Sequence, residues 1–262
     1  MSLSNTKLLS ACVGSAVLMM TASQNVLSHT RLSVPVTQES SSAHGTTSTA
    51  VNIPHGCTDN PVIGNVFFLP DTTDATVQTS TDDFATFETA TGDNALNHIV
   101  NPPFIRLIKT NDVFNVQEFI LDPLNNPLGF WAADGSLPAH NWVAQLPINI
   151  TAIAIQPESC ATSVTFVPAI ANICNMTTMS EINAADPDDP NVDFWTAPGV
   201  GSPYDAPDWT FPASYKVVRD LVANPLPESC GEGVAVRIVP SAAQMERDMP
   251  VKINGQQVWP QP

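Results

Sequence analysis

The five histidines are the side chains of this sequence best suited to chemistry, because imidazole is the commonest protein ligand for copper and zinc. They are His29, His44, His55, His98 and His140. The sequence contains no His-Glu-x-x-His run, no Gly-x-Ser-x-Gly elbow and no glycine-rich phosphate loop. These patterns favour a histidine metal site over a hydrolase or a nucleotide-dependent enzyme.

His29 is distinguished by the segment that precedes it. Residues 1–28 combine a positive charge at Lys7, an apolar stretch from Leu8 to Ala22 and small residues ending at Ser28, which is typical of a cleaved signal peptide. Cleavage after Ser28 gives His29 a free α-amine beside its imidazole, so one residue offers two nitrogen donors. Copper(II) heads the divalent affinity order for such donors, and we expect it to bind here.

Two alternatives for the leader stay open. Cleavage after Ala22 or Ser23 leaves His29 inside a frayed terminus, and Leu9-Ser10-Ala11-Cys12 matches a lipoprotein box. The apolar stretch is interrupted and short for a bilayer, which favours a cleaved leader over an anchor. Each version predicts export, and we expect a periplasmic or extracellular protein.

The charge of the chain argues against nucleic acid as a partner. Twenty-five acidic residues oppose nine basic ones, giving a formal net charge of −16, and removal of Lys7 makes it more negative. Apolar residues make up 43% of the chain, which is enough to build a core. After the leader, no stretch reaches the roughly 18 consecutive apolar residues of a membrane helix, so none is expected in the mature chain.

The elements that must position the histidines are expected to be strands. Twenty-four prolines and twelve glycines interrupt the chain too often for long helices, and short β-rich runs lie between them. Many short strands predict an all-β sandwich or barrel. The expected strands are Thr30 to Val36, Thr47 to Ile53, Val62 to Leu69, Phe104 to Ile108, Phe114 to Leu121, Trp142 to Leu146, Ile148 to Ile155, Thr162 to Val167 and Val234 to Val239.

Three later segments have their own signals. Asn254-Gly255 lies between two apolar runs, Val251–Ile253 and Gln256–Trp259, and predicts a two-residue hairpin turn. Met176 to Asp208 is rich in Asp, Pro and Gly and is expected to form a long surface loop, whose carboxylates are less regularly spaced than a calcium site needs. Ala213 to Ala223 has apolar residues at helical spacing and predicts a helix.

Four cysteines remain after the leader: Cys57, Cys160, Cys174 and Cys230. Their even number in an oxidising compartment predicts two disulfides, although three pairings are possible. A thiolate metal site is the alternative, but no Cys-x-x-Cys pair is present.

Three segments resemble the YcnI-like family of exported copper-binding proteins, and they occur in the family's order. The first is His29-Thr-Arg-Leu-Ser-Val-Pro35 together with Val51-Asn-Ile-Pro-His-Gly-Cys57. The second is Trp131-Ala-Ala-Asp-Gly-Ser-Leu-Pro138, and the third is Thr165-Phe-Val-Pro-Ala-Ile-Ala-Asn-Ile-Cys174. The resemblance implies an immunoglobulin-like or cupredoxin-like β-sandwich over residues 29–174. Residues 175–262 are then a loop-rich extension that ends in the hairpin.

The resemblance also implies a ligand set. His29 matches the family's amino-terminal copper ligand, and Trp131 matches a tryptophan near the metal that shields it, although a core aromatic is the alternative. The best-described branch has a glutamate where this chain has Pro54-His55-Gly56, and we infer that His55 replaces that carboxylate. Cys57 is expected to pair, with Cys174 as its first expected partner. His44, His98 and His140 are weaker candidate ligands.

Three functions follow as expectations. The first is a periplasmic copper(II)-binding protein that buffers or carries copper and passes it to another periplasmic or membrane protein. The second is a surface or adhesion β domain without a metal. The third is an oxidative copper enzyme, for which His55 could supply a second histidine, but Tyr204 and Tyr215 are the only tyrosines and no flat aromatic face is readable.

Overall fold

The computed structural model describes residues 29–40, 45–82, 86–110 and 112–262. The expected signal peptide, residues 1–28, and His44 lie outside these ranges. The strands are β1 (Arg31–Leu32), β2 (Val36–Gln38), β3 (Thr46–Ile53), β4 (Gly64–Phe68), β5 (Thr76–Ser80), β6 (Glu88–Thr89), β7 (Ile105–Leu107), β8 (Phe114–Leu121), β9 (Pro127–Gly135), β10 (Ala144–Thr151), β11 (Ala161–Phe166), β12 (Ala169–Ile173), β13 (Val192–Trp195), β14 (Tyr215–Val218), β15 (Val234–Val239), β16 (Val251–Ile253) and β17 (Gln256–Trp259). The helix α1 spans Ala242–Asp248, and 3₁₀ turns span Ala95–Asn97, Met179–Glu181 and Glu228–Cys230.

The strands form three main sheets and one hairpin. A four-stranded sheet has the order β1-β3-β10-β7, a six-stranded sheet the order β2-β14-β11-β15-β5-β6, and a five-stranded sheet the order β13-β12-β4-β9-β8. Most neighbours are antiparallel, whereas β15 and β2 pair in parallel with β11 and β14. The expected all-β sandwich is confirmed. Strands on both sides of the expected boundary at residue 174 share the same sheets, because β14 and β15 pair with β11 and β15 also pairs with β5.

Two apolar cores hold the sheets together. The first core lies between the sheets and includes the stacked rings of Phe67 and Phe130, whose centroids are 5.6 Å apart. The second core lies on the opposite face of the five-stranded sheet, where Met245, Met249 and Trp259 from α1 and the hairpin cover it. Each such buried side chain contributes about 1.5–3 kcal/mol of burial free energy, so the carboxyl-terminal segment is an integral part of the fold.

The hairpin and two of the expected strands form where the sequence predicts them. Asn254 and Gly255 have φ angles of 51° and 77°, the positive values that a two-residue turn between β16 and β17 requires. Strands Phe114–Leu121 and Val234–Val239 have the expected bounds. The expected break at Pro147 is wrong. Pro147 lies within β10, and its carbonyl accepts a hydrogen bond from the Ile108 backbone N–H at 3.0 Å.

The expected helix from Ala213 to Ala223 is also wrong. Tyr215 and Val217 alternate toward the first core as part of β14, which pairs with β11 and β2. Pairing on both sides satisfies the backbone of this short segment and overrides its helical spacing. No described helix is long and apolar enough to cross a bilayer.

The four described cysteines form the two expected disulfides. Cys57 is bonded to Cys174, the first expected partner, and Cys160 is bonded to Cys230. All four sulfurs are therefore consumed, and the alternative of a thiolate metal site at these cysteines is wrong.

Candidate functional site

Strand pairing brings His29 and His55 to the same edge of the four-stranded sheet. β1 pairs antiparallel with β3, with Arg31 opposite Asn52 and Leu32 opposite Val51. Continuing that register by two residues places His29 opposite Pro54, beside His55. Two histidines that are 26 positions apart in the sequence thus become neighbours because one strand begins where the other ends.

Trp195 lies against both imidazoles. Its ring centroid is 4.6 Å from that of His29 and 6.4 Å from that of His55. Phe211 completes the aromatic wall, with ring centroids 6.2 Å from His29 and 5.9 Å from Trp195. Trp195 is almost fully buried while His29 is half-buried, so the two imidazoles lie on an apolar base.

Asp193 places a carboxylate at the same site. It precedes Trp195 by two residues in β13, so both side chains lie on the inner face of the sheet, and Asp193 Oδ2 accepts a hydrogen bond from Trp195 Nε1 at 3.1 Å. Burial raises the pKa of Asp193 to about 6, although the charge of His55 and hydrogen bonds from Asn172 and Trp195 oppose the shift. This carboxyl group can therefore take up or release a proton near neutral pH.

A buried polar row supports the carboxylate. Asp193 is aligned with Asn172 of β12, which is aligned with Asn65 of β4. Asn65 Nδ2 donates to Asn172 Oδ1 at 3.0 Å, and Asn172 Nδ2 donates to Thr30 Oγ1 at 2.8 Å. Thr30 directly follows His29, so this row fixes the backbone next to the His29 imidazole.

Three features restrict the turn that carries His55: a backbone hydrogen bond, a close backbone approach at Gly56 and a disulfide. Gly56 N–H donates to the Ala139 carbonyl at 3.1 Å, and a Cβ at position 56 would lie 1.9 Å from the Asn60 carbonyl oxygen, so only glycine fits. The disulfide from Cys57 to Cys174 ties the turn to the residue that follows β12. We expect little freedom for the His55 backbone.

The imidazole tautomer of His55 follows from its neighbour. Its Nδ1 lies 2.7 Å from the Gly56 carbonyl oxygen, which can only accept a hydrogen bond, so Nδ1 carries the proton. In the neutral form of the ring, Nε2 is then the nitrogen that keeps an electron pair. A backbone contact of this kind commonly orients a histidine that ligates a metal.

The pKa of His29 is lowered, first by burial and then by the positive charges of Arg31 and His55. The ring is therefore neutral at neutral pH, and a metal need not displace a proton from it. Arg31 Nε also donates a hydrogen bond to the backbone carbonyl of His29 at 3.2 Å, and this contact does not involve the His29 ring.

The side chains of His29, His55 and Asp193 together offer two imidazoles and one carboxylate. Within residues 29–40, 45–82, 86–110 and 112–262, no cluster of three or more His, Cys, Asp or Glu side chains is arranged to hold an ion. An ion at this site would need the α-amine of a processed His29 in addition to the side chains of His29, His55 and Asp193. Such a nitrogen-rich set suits copper(II) and disfavours magnesium or calcium.

The other candidate residues lie apart from this group. Trp131 is aligned with Val66 in the second core, and the tryptophan in contact with His29 is Trp195. His98 is buried between Asp93 and Ser159, which are 2.8 Å and 2.9 Å from its ring nitrogens. His140 is exposed and lies 3.1 Å from the carboxylate of Asp59.

Sequence reasoning missed Asp193 and Trp195 because it assigned them to a surface loop. The available signal was the run Val192-Asp-Phe-Trp195, in which β-favouring residues surround one acid. All four are buried, with Val192 and Phe194 in the second core and Trp195 in the first.

Comparisons with protein-family models, with curated proteins and with solved structures found no match for this chain.

Proposed function

We propose that this protein is an exported copper(II)-binding protein of the bacterial periplasm that buffers or carries copper. The observation that carries the proposal is the convergence of His29 and His55 on Trp195, with the buried carboxylate of Asp193 beside them. The two disulfides are compatible with an oxidising compartment. The resemblance of residues 29–174 to the YcnI-like family supports the same function.

Each residue has a defined part in the proposed site. His29 supplies its imidazole and, after removal of residues 1–28, its α-amine. His55 supplies Nε2, since Nδ1 is held by the Gly56 carbonyl. Asp193 supplies negative charge, which offsets part of the charge of a divalent ion and favours its binding above the pKa of about 6. Trp195 and Phe211 exclude water from one side.

The half-buried position of His29 suits transfer of the ion. A ligand that keeps contact with solvent can be reached by the donor groups of a second protein, whereas a fully enclosed ion can leave only if the fold opens. We therefore propose another periplasmic or membrane copper protein as the recipient or source. Copper held here would supply a Lewis-acidic centre that prefers nitrogen ligands.

The decisive experiment is a copper(II) titration of processed protein against a chelator of known affinity. We expect one ion per chain, with affinity reduced about 100-fold or more when an alanine is added before His29 or when His55→Ala is introduced, because each change removes a donor nitrogen. His140→Ala is the matched control, since it removes an exposed imidazole near the same turn.

The alternative function has a distinct result. The metal proposal fails if the copper(II) affinity is unchanged both by the added residue and by His55→Ala. It also fails if the wild-type affinity does not exceed that of a variant in which the accessible histidines have been replaced. The protein is then better described as a surface or adhesion β domain.

A further inference from the structure

A row of side chains crosses the six-stranded sheet on the face opposite the first core. The register aligns Val36, Lys216, Thr165, Arg237 and Gln78 across neighbouring strands. Aligned residues point to the same side of a sheet, and the adjacent row of Val164, Val217 and Val236 points into the first core. Two basic side chains, Lys216 and Arg237, therefore lie on an outward-facing surface of a strongly acidic protein.

Aromatic rings hold the guanidinium of Arg237 in place. Its Cζ lies 3.6 Å from the ring centroid of Trp209 and 4.0 Å from that of Phe87. Its Nε donates to Gln78 Oε1 at 2.7 Å. Because the rings cover its plane and Gln78 takes the Nε donor, the terminal amino groups remain as the donors along its edge.

The charge of Arg237 is not matched by a carboxylate of the described chain. Among the residues that the structure describes, neither an ion pair nor a hydrogen bond joins Arg237 to Asp or Glu. Burial alone lowers its pKa to about 10, which leaves the side chain charged at neutral pH. Partial burial of a cation is costly unless an anion lies close to it, and an anion that enters from solvent would reduce this cost for Arg237.

A cavity of about 310 Å³ opens at this guanidinium, and we call it the Arg237 cavity. Its floor is Thr165 and Lys216, and its apolar walls include Trp209, Phe87 and Pro212. The size is at the lower end of the range for small-molecule sites. A planar donor edge beside aromatic and aliphatic walls matches a ligand with a carboxylate at one end and an apolar body at the other.

We propose that the Arg237 cavity binds a small organic acid, whose carboxylate pairs with Arg237 and whose apolar body packs against Trp209 and Phe87. This site is separate from the proposed copper site and does not depend on it. A free carboxylic acid and the carboxyl terminus of a short peptide share this chemistry.

The test is a titration of the full processed chain, in which binding is measured by tryptophan fluorescence and by calorimetry. The probes are 3-phenylpropionate, its neutral amide, inorganic phosphate, and a short apolar peptide with either a free or an amidated carboxyl terminus. We expect saturable binding of the acid and binding at least about tenfold weaker for the amide, because a charge-assisted bidentate contact is lost. Phosphate should be weak, since it lacks an apolar body. The peptide pair then distinguishes a chain terminus from a free acid.

Variants locate the binding. Arg237→Gln should weaken acid binding at least about tenfold, whereas Arg106→Gln, at an exposed arginine of the four-stranded sheet, should not change it. Because Arg237→Gln could impair folding, the wild-type protein is also followed by NMR. The side-chain N–H signals of Arg237 and Trp209 should then shift upon addition of acid.

Three results overturn the proposal. They are equal affinity for the acid and its amide, no saturation by any carboxylate in the millimolar range, and shifts confined to residues outside the Arg237 cavity. In each case the aromatic contacts of Arg237 serve only to hold the Trp209 segment against the sheet.

Discussion

Two regions of this molecule place a basic side chain against a tryptophan, with opposite consequences for charge. At the proposed copper site, burial lowers the pKa of His29 from an already near-neutral value, so the ring next to Trp195 is uncharged. In the Arg237 cavity, burial lowers the pKa only to about 10, so the guanidinium next to Trp209 stays cationic. The same environment therefore prepares an electron-pair donor in one place and an anion receptor in the other, because the intrinsic pKa values of the two groups differ.

Each region also contains its own disulfide. Removing one disulfide at a time has the largest expected effect and tests whether the two regions bind their ligands independently. Removing Cys57–Cys174 by a double alanine substitution should lower the free energy of unfolding by about 2–5 kcal/mol and weaken copper(II) binding, because the His55 turn is released. Acid binding by the protein that remains folded should be unchanged. Urea unfolding and titrations at low temperature measure these effects.

The matched control removes Cys160–Cys230, which joins the starts of β11 and β15 in the sheet that carries Arg237. This pair should lower stability by a similar amount but leave the copper(II) affinity intact. Equal loss of copper binding in both double variants would show that the disulfides act on the whole fold and not on separate regions.

The next largest effect concerns His29. His29→Ala should reduce copper(II) affinity about 100-fold or more, since the imidazole is lost from the chelate, while acid binding at Arg237 stays the same. Parallel titrations with copper(II) and with 3-phenylpropionate measure both. A loss of both affinities would mean that the two regions do not act independently.

Asp193 gives a pH-dependent prediction. Its folded pKa is raised to about 6 from the ordinary value of 3.8, so its contribution to stability is complete below about pH 3.8 and is lost as the pH rises through 6. In metal-free protein, Asp193→Asn should therefore increase the free energy of unfolding at pH 7, by an amount on the order of 2 kcal/mol, and change it little at pH 3.5. The same variant should bind copper(II) more weakly at pH 7.

Urea unfolding at the two pH values, with a chelator present, checks this prediction. Destabilisation of the variant at pH 7 would contradict it. That result would show that the attraction of the carboxylate to His55 and its hydrogen bonds from Asn172 and Trp195 together outweigh the cost of burying its charge.

The smallest expected effect is at Trp209. Trp209→Leu keeps an apolar wall but removes the aromatic face that holds the guanidinium of Arg237 in place. The variant must then order that side chain when the acid binds, so acid affinity should fall by roughly fivefold, as expected for the cost of immobilising one side chain. Copper(II) affinity should be unchanged. Tighter acid binding by the leucine variant would show that the ring competes with the ligand for the guanidinium.

Much of the fold follows from local signals in the sequence. Asn254-Gly255 dictates its turn because few other pairs tolerate positive φ at both positions, and the even cysteine count predicts two disulfides. The turn depends on neighbours in sequence and the disulfides depend on covalent chemistry. The proximity of His29 and His55 is expected only from the resemblance, and in the structure it follows from the pairing of β1 with β3.

The remainder depends on pairing between distant strands. Asp193 and Trp195 lie in a strand of only four residues, bounded by segments rich in Pro, Asp and Gly, and its backbone becomes regular only because β12 is next to it. Trp131 is expected near His29 only from the resemblance, and the pairing of distant strands places Trp195 there instead. For Arg237, three separate strands must align before the cavity exists.

The position of β15 also has a consequence for how the chain acquires its structure. This strand is near the carboxyl terminus, yet it lies inside the six-stranded sheet, between β11 and β5. The six-stranded sheet cannot be completed until the chain has been synthesised as far as Val239, where β15 ends. Sheets built from such distant pairings fold slowly, so the six-stranded sheet should stay incomplete through most of the chain's synthesis, which suits the proposed export through a translocation channel.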